Sequence, residues 1–205
     1  MKSRIELAIF DLDGTLYELG APTFGASELG KRVKMHHLDL ISDFSNIHPE
    51  IVFAGLCDRE KKESVPVSVS IGELTNKTRQ EVFELIWGKL KPEEIILYEK
   101  IKPEFLGELK QSGMNILLLT AGPVVWADKA LEYLQIKSFF DAIITAEMYL
   151  HGKGEVFDRL LREGRNPNTI VSIGDQEHSD ITPAQSLGMN TCLVTGPKDI
   201  YSFFI

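Results

Sequence analysis

A doubly wound α/β core with a parallel sheet, carrying a mostly α-helical insertion, is the fold this sequence predicts. Three observations point to it. Short apolar runs alternate with helix-like segments through the second half of the chain. An apolar run near the start, Leu7 to Phe10, leads straight into an Asp-Gly turn. The stretch between them, about Tyr17 to Lys100, is more charged and lacks the alternation. Strands alternating with helices imply crossovers that cover both faces of a parallel sheet.

Leu7 to Phe10 reads as the first strand. Within the insertion, Val65 to Ile71 alternates like an exposed strand, although Pro66 weakens that reading. Thr75 to Leu90 has helix logic. Thr75 or Asn76 can cap it, and Val82, Phe83, Leu85, Ile86 and Leu90 recur at helical spacing. Pro103 to Gln111 puts Phe105, Leu106 and Leu109 on one face and stops at Ser112-Gly113. Asn115 to Thr120 is an apolar strand, Val124 to Leu134 a helix, and Ala142 to Thr145 a short strand. Glu155 to Arg162 is a helix, and Thr169 to Ile173 and Thr191 to Val194 are strands. The apolar tail Tyr201 to Ile205 is expected to pack on the core. Residues 1–16 and 101–205 thus read as the core and 17–100 as the insertion.

The 205 residues contain 43% hydrophobic and 25% charged residues, a soluble globular balance. A net charge of -8 disfavours general binding to nucleic acid or to anionic membranes. No apolar run approaches the ~18 residues a membrane span needs. Glu6 and Asp11 interrupt the N-terminal apolar stretch too early for a secretory signal core. With only Cys57 and Cys192 there is no disulfide framework, so a reducing cytoplasm is the expected compartment.

Four local features sit at ends of these strands or helices, where open parallel sheets bind ligands. The first is Asp11-Leu12-Asp13-Gly14-Thr15. Carboxylates at i and i+2 point the same way on an extended chain, and such a pair calls for a cation or a shared proton. The competing reading is a solvated turn; an EF-hand loop fails because the later ligand spacing is absent. The second is Thr120, followed by Ala121-Gly122, whose hydroxyl and backbone N–H groups ahead of a helix suit a phosphate; capping is the common alternative. The third is Lys153 in His151-Gly152-Lys153-Gly154, an anion contact or simply a solvated lysine. The fourth runs from Gly174-Asp175 to Asp180, carboxylates suited to a hard cation such as Mg²⁺, with Asp180 also placed to cap the next helix.

In their order and spacing these features resemble the haloacid dehalogenase-like superfamily. Its pattern is DxDGT, a hydrophobic strand ending in Ser or Thr, a Lys, then GD followed at a short interval by another Asp. The resemblance implies a Rossmann-like core and a cap domain inserted after the first motif. It implies Asp11 as nucleophile, Asp13 as general acid and base, and Lys153 as a third catalytic group. Thr120, Ala121 and Thr15 would bind substrate. Mg²⁺ would be held by Asp11, by Asp13 through its backbone carbonyl, and by Asp175, with Asp180 a ligand, directly or through water, or a support behind the ligands. Asp13 favours phosphoryl chemistry, because the dehalogenating relatives lack that residue. The implied activity is a phosphatase acting on a small phosphorylated metabolite through an aspartyl-phosphate; a sugar phosphomutase and a non-catalytic phosphate-binding protein are the alternatives. Ala121 departs from the pattern, since many members carry Asn there. His151 and His178 border the motifs, whereas His36, His37 and His48 read as packing residues of the insertion. The sequence names neither the substrate nor the oligomeric state.

Overall fold

The computed structural model describes residues 4–204. Met1 to Ser3 of the N-terminal stretch and Ile205 of the apolar tail lie outside the described residues. Five strands form one parallel sheet in the order β3-β2-β1-β4-β5: β1 Leu7–Phe10, β2 Asn115–Leu119, β3 Ala142–Ile144, β4 Ile170–Gly174 and β5 Asn190–Leu193. Phe10 lies opposite both Leu118 and Ile173, so the carboxyl ends of β1, β2 and β4 are level. The chain leaves β1, builds β2 and β3 on one side, then returns to place β4 and β5 on the other. That reversal beside β1 is the crevice where ligands of such sheets bind.

The three central strands are buried throughout apart from Asn115, which fits strands covered on both faces. Their side chains alternate between two cores. Ala8, Phe10, Ile116, Leu118, Val171 and Ile173 join Leu106 of α6 (Pro103–Gln111), Trp126 and Leu131 of α7 (Val124–Tyr133) and Ile200 of α10 (Pro197–Phe204). Leu7, Ile9, Leu117, Leu119 and Ile170 join Val156, Phe157 and Leu160 of α8 (Lys153–Arg162) and Ala184 of α9 (Thr182–Ser186). Tyr201 and Phe204 pack edge-on against Phe105, as expected of the apolar tail.

Residues 17–100 contain α1 (Glu28–Ser42), α2 (Pro49–Glu63), α3 (Val67–Thr75), α4 (Arg79–Trp87) and the short α5 (Pro92–Ile95). The chain enters and leaves this region side by side. Glu18 N–H donates to the Glu99 carbonyl at 2.8 Å, and Ile101 N–H to Leu16 at 2.8 Å. Leu29, Val33, Ile71, Val82 and Ile86 from these helices belong to the same apolar cluster as β1. Ser27 caps α1 through Gly30 N–H at 3.0 Å.

Two sequence expectations are corrected. Val65 to Ile71 is not a strand. Pro66, with φ -55° and ψ 141°, precedes the first turn of α3, and burial of Ile71 among the helices supplies the stabilisation a lone strand would lack. The helix expected over Thr75 to Leu90 is two. Thr75 lies inside α3, with its hydroxyl on the Ile71 carbonyl, and Asn76 ends α3 at φ 54°. Thr78 then starts α4 with a reciprocal capping box to Glu81.

His37 of α1 donates from Nδ1 to the Val33 carbonyl at 2.8 Å and lies against Phe53 of α2, ring centres 5.3 Å apart. Burial pushes its pKa down from 6.5 to about 4, against the opposing Val33 bond and with the help of His36. The unfolded chain therefore gains a proton that the folded chain refuses between those values. The stability of the wild type relative to His37→Phe should be greatest above pH 6.5 and should decline as pH falls toward 4. Urea denaturation of both proteins across that range checks this; a difference independent of pH would refute it.

Candidate active site

Asp11 follows β1, Thr120 follows β2 and Asp175 follows β4, so the level strand ends bring three separate stretches of sequence together. Two glycines make the approach close enough. Gly14 has φ +86°, and a Cβ there would lie 2.4 Å from Asp175 Oδ2. A Cβ on Gly174 would lie 2.2 Å from Asp180 Oδ2. No larger residue fits either position without displacing a carboxylate.

Lys153 is the first residue of α8 and is buried. Its Nζ donates to Asp11 Oδ1 at 2.5 Å and to Asp180 Oδ1 at 2.5 Å. The other Asp180 oxygen accepts from Gln176 N–H at 3.0 Å, and its carbonyl accepts from Ser172 Oγ at 2.8 Å. Asp180 sits in a single π-helical turn, Glu177–Ile181, which aims its carboxylate back at the sheet. Its carboxylate therefore ties the loop to Lys153, while α9 starts two residues later.

Asp11, Asp175 and Asp180 each offer an oxygen within 4.8 Å of the others. Asp175 Oδ1 is buried without a hydrogen-bond partner. An orphaned buried carboxylate oxygen beside two more carboxylates is the donor set of a hard divalent cation, so the residues fit one. The electrostatics agree. Burial raises Asp11 to about 8, with Lys153 opposing and Asp180 and Asp13 adding to the rise. Burial likewise raises Asp175 to about 6, reinforced by Asp180. Burial alone would lower Lys153, but Asp11 and Asp180 outweigh it and hold the ammonium charged.

Asp13 stands apart from that trio. Its Oδ1 accepts from Trp126 Nε1–H at 2.8 Å and from the Tyr17 hydroxyl. Burial raises its pKa, while the Trp126 and Tyr17 bonds pull it back. The sequence reading missed both donors. Trp126 carries no local signal, being one apolar position of a helix and 113 residues from Asp13. Tyr17 is four residues past Asp13 and looks like the start of the insertion.

Thr15 is buried, with its hydroxyl 3.4 Å from Asp11 Oδ2. Thr120 Oγ1 accepts from Gly122 N–H at 3.0 Å, and its carbonyl accepts from the Tyr149 hydroxyl at 2.9 Å. Of the backbone donors expected after Thr120, Gly122 is thus engaged by the threonine itself, and Val124 by the Glu147 carboxylate. A cavity of about 260 Å³ opens here, lined by Asp11, Asp13, Thr120, Ala121, Gly122 and Gln176, with Phe24 and Trp87 closing it from the helical region. Lys153 lies behind Asp11 and outside this lining. His151 and His178 are exposed and line no part of the cavity. Among the described residues no helix is long and apolar enough to cross a membrane.

The sequence matches the haloacid dehalogenase-like hydrolase family over residues 8–194, and the chain belongs to that family. Among curated proteins it resembles glyceraldehyde 3-phosphate phosphatase of Methanocaldococcus jannaschii, 31% identical over 144 residues. That alignment covers 62% of this chain and 63% of the relative, so the chain spans less than two thirds of the relative's length. Among solved structures the fold resembles a HAD phosphatase from Thermococcus onnurineus, with TM-score 0.62 at 19% identity over 93% of this chain and 86% of that one. It also resembles a magnesium-bound HAD hydrolase from Bacillus subtilis, with TM-score 0.54 at 17% identity over 94% and 87% of the two chains.

Removing the cation from this buried cluster should be costly. Lys153→Met is expected to lower stability by about 3–5 kcal/mol in metal-free buffer. Adding Asp180→Asn should recover part of that loss, because it removes one of the two carboxylates that Lys153 holds. Chemical denaturation of the single and double variants measures both; a double variant no more stable than the single would show that packing, not charge, sets the cost.

Proposed function

We propose, from membership in the haloacid dehalogenase-like hydrolase family, that this chain is a Mg²⁺-dependent phosphatase working through an aspartyl-phosphate. The observation that carries the reading is the second carboxylate. Asp13 faces the same cavity as Asp11 but is held by two neutral donors, whereas Asp11 is held by a cation. Two carboxyl groups given such different partners suit two different tasks.

Asp11 is the nucleophile. Its carboxylate attacks phosphorus, the P–O bond to the alcohol breaks, and the phosphoryl group passes to Asp11. Lys153 favours the ionised nucleophile and holds Asp11 in one rotamer through its bond to Oδ1. Asp13 is the general acid. Burial raises its affinity for a proton, which it gives to the leaving oxygen; it then takes a proton from the water that hydrolyses the acyl phosphate. Trp126 and Tyr17 are positioning residues that aim Asp13. Thr120, with Ala121 beside it, binds phosphoryl oxygens at the end of β2, and Thr15 steadies Asp11 from behind.

Asp11, Asp175 and Asp180 would hold Mg²⁺, which when bound offsets the crowded negative charge and polarises the phosphoryl group. The Asp13 backbone carbonyl would join them. The helices between Tyr17 and Lys100 act as a cap that closes the cavity with Phe24 and Trp87. The substrate is a small phosphorylated molecule, and the compartment is the cytoplasm.

Phosphate release from an aryl phosphate in Mg²⁺ tests the reading. Asp11→Asn should abolish turnover without changing the thermal midpoint by more than a few degrees. Asp13→Asn should lower kcat by ~10²–10⁴. Retained turnover in the first variant would rule out the assigned nucleophile. The metal assignment has a readout independent of turnover. At 100 times its dissociation constant, Mg²⁺ should stabilise the wild type by about 2.7 kcal/mol, and Asp175→Asn should lose most of that gain. An equal Mg²⁺ shift in both proteins would remove Asp175 from the metal site.

A further inference from the structure

Beyond the reacting groups, the 260 Å³ cavity continues into a second one of about 520 Å³. Phe24, Trp87 and Ala121 line both, so the larger cavity opens beside the carboxylates. It lies between α1, α2, α3 and α4. Its walls include Val33, Phe53, Val67 and Phe83, with Phe24 and Trp87 at the junction.

Some of the polar groups around it are already bonded. Lys34 Nζ is 3.0 Å from Glu50. His37 Nδ1 is spent on the Val33 carbonyl. Arg79 donates from Nε to Ser68 at 3.0 Å and from Nη1 to the Ala146 carbonyl at 2.7 Å, with its guanidinium over the Phe83 ring. Lys34 and Glu60 line it as well, but the side chains of Phe24, Val33, Phe53, Val67 and Phe83 offer no partner to the hydroxyls of a sugar, and a buried hydroxyl without a partner is penalised. The volume also falls in the range of pockets that enclose mid-sized organic ligands, well beyond a three-carbon group.

We infer that the alcohol released by this enzyme is bulky and apolar, an alkyl or aryl group seated among Phe24, Val33, Phe53, Phe83 and Trp87. The inference rests on the phosphatase reading and narrows it to phosphomonoesters of hydrophobic alcohols. It sets the chain apart from enzymes of triose and hexose phosphates, including a sugar phosphomutase.

Two esters of primary alcohols with similar leaving oxygens separate the effect of the pocket from that of the leaving group: n-octyl phosphate and glycerol 3-phosphate. With the full chain in Mg²⁺, kcat/KM for octyl phosphate should exceed that for glycerol 3-phosphate by ~10² or more, since one methylene in a fitted apolar pocket is worth roughly tenfold. Phe53→Gln, a substitution at a half-buried wall residue, should reduce that ratio by about tenfold or more. Comparable or better turnover of glycerol 3-phosphate by the wild type would overturn the inference and leave the phosphatase reading standing. A ratio unmoved by Phe53→Gln would overturn the assignment of this pocket. No release from either ester, nor from an aryl phosphate, would overturn the phosphatase reading and this inference with it.

Discussion

The interaction on which this structure depends is the crowding of carboxylates at the ends of β1 and β4 around a single lysine. Asp11, Asp175 and Asp180 place oxygens within 4.8 Å of each other. At an effective dielectric of 20, each such pair of charges repels by about 3 kcal/mol or more. Lys153 offsets part of this by bonding two of the three. It can do so because it is the first residue of α8, after Gly152, whose φ of +82° turns the chain into the helix. Local features that would look odd elsewhere serve the same cluster. The bare Cα positions of Gly14 and Gly174 and the π-turn carrying Asp180 all set how near the carboxylates come. Asp175 Oδ1 is left without a protein partner, which fits a site for a hard cation.

The sheet topology explains why such a cluster forms here. Reversal of strand order at β1 leaves a crevice with no crossover helix above it. The loops after β1, β2 and β4 therefore converge there, and each contributes polar side chains to the same small volume. Asp11 and Asp13 are two residues apart but fall into different surroundings, one against an ammonium and the other against an indole and a phenol. A three-residue stretch thus presents side by side one carboxyl group held by a cation and one held by neutral donors.

Much of this was legible in the sequence. Strand–helix alternation reports burial on both faces of a parallel sheet, so β1, β2, β4 and α6 were found nearly residue for residue. The acidic motifs were legible because turn glycines and strand-end carboxylates are local in the chain. What was not legible depends on distant partners. Trp126 looks like any core residue until Asp13 is placed beneath it. Val65 to Ile71 has the alternation of a strand and becomes helical because neighbouring helices, not a sheet edge, are available to bury Ile71. Thr75 and Asn76 are the cap candidates the sequence offers. Only the left-handed turn at Asn76 decides that Thr78 begins α4.

The helical region is bound to the chemistry as well as to the fold. Lys129 of α7 donates to the carbonyls of Gly88 and Leu90, and Arg79 at the start of α4 to those of Ala146 and Tyr149. Tyr149 in turn donates to the Thr120 carbonyl, so one chain of hydrogen bonds runs from α4 to the end of β2. A second link is aromatic. Phe24 lies 6.4 Å from Trp87, and Trp87 lies 6.5 Å from Trp126, which holds Asp13. Trp87 is therefore both a wall of the apolar cavity and the neighbour of the donor that aims the second carboxylate. A group that fills the cavity against Trp87 packs one ring away from the orientation of Asp13. In the proposed reaction, selection of the leaving group and its protonation would share a single stack of side chains, and displacement of α4 would disturb both together.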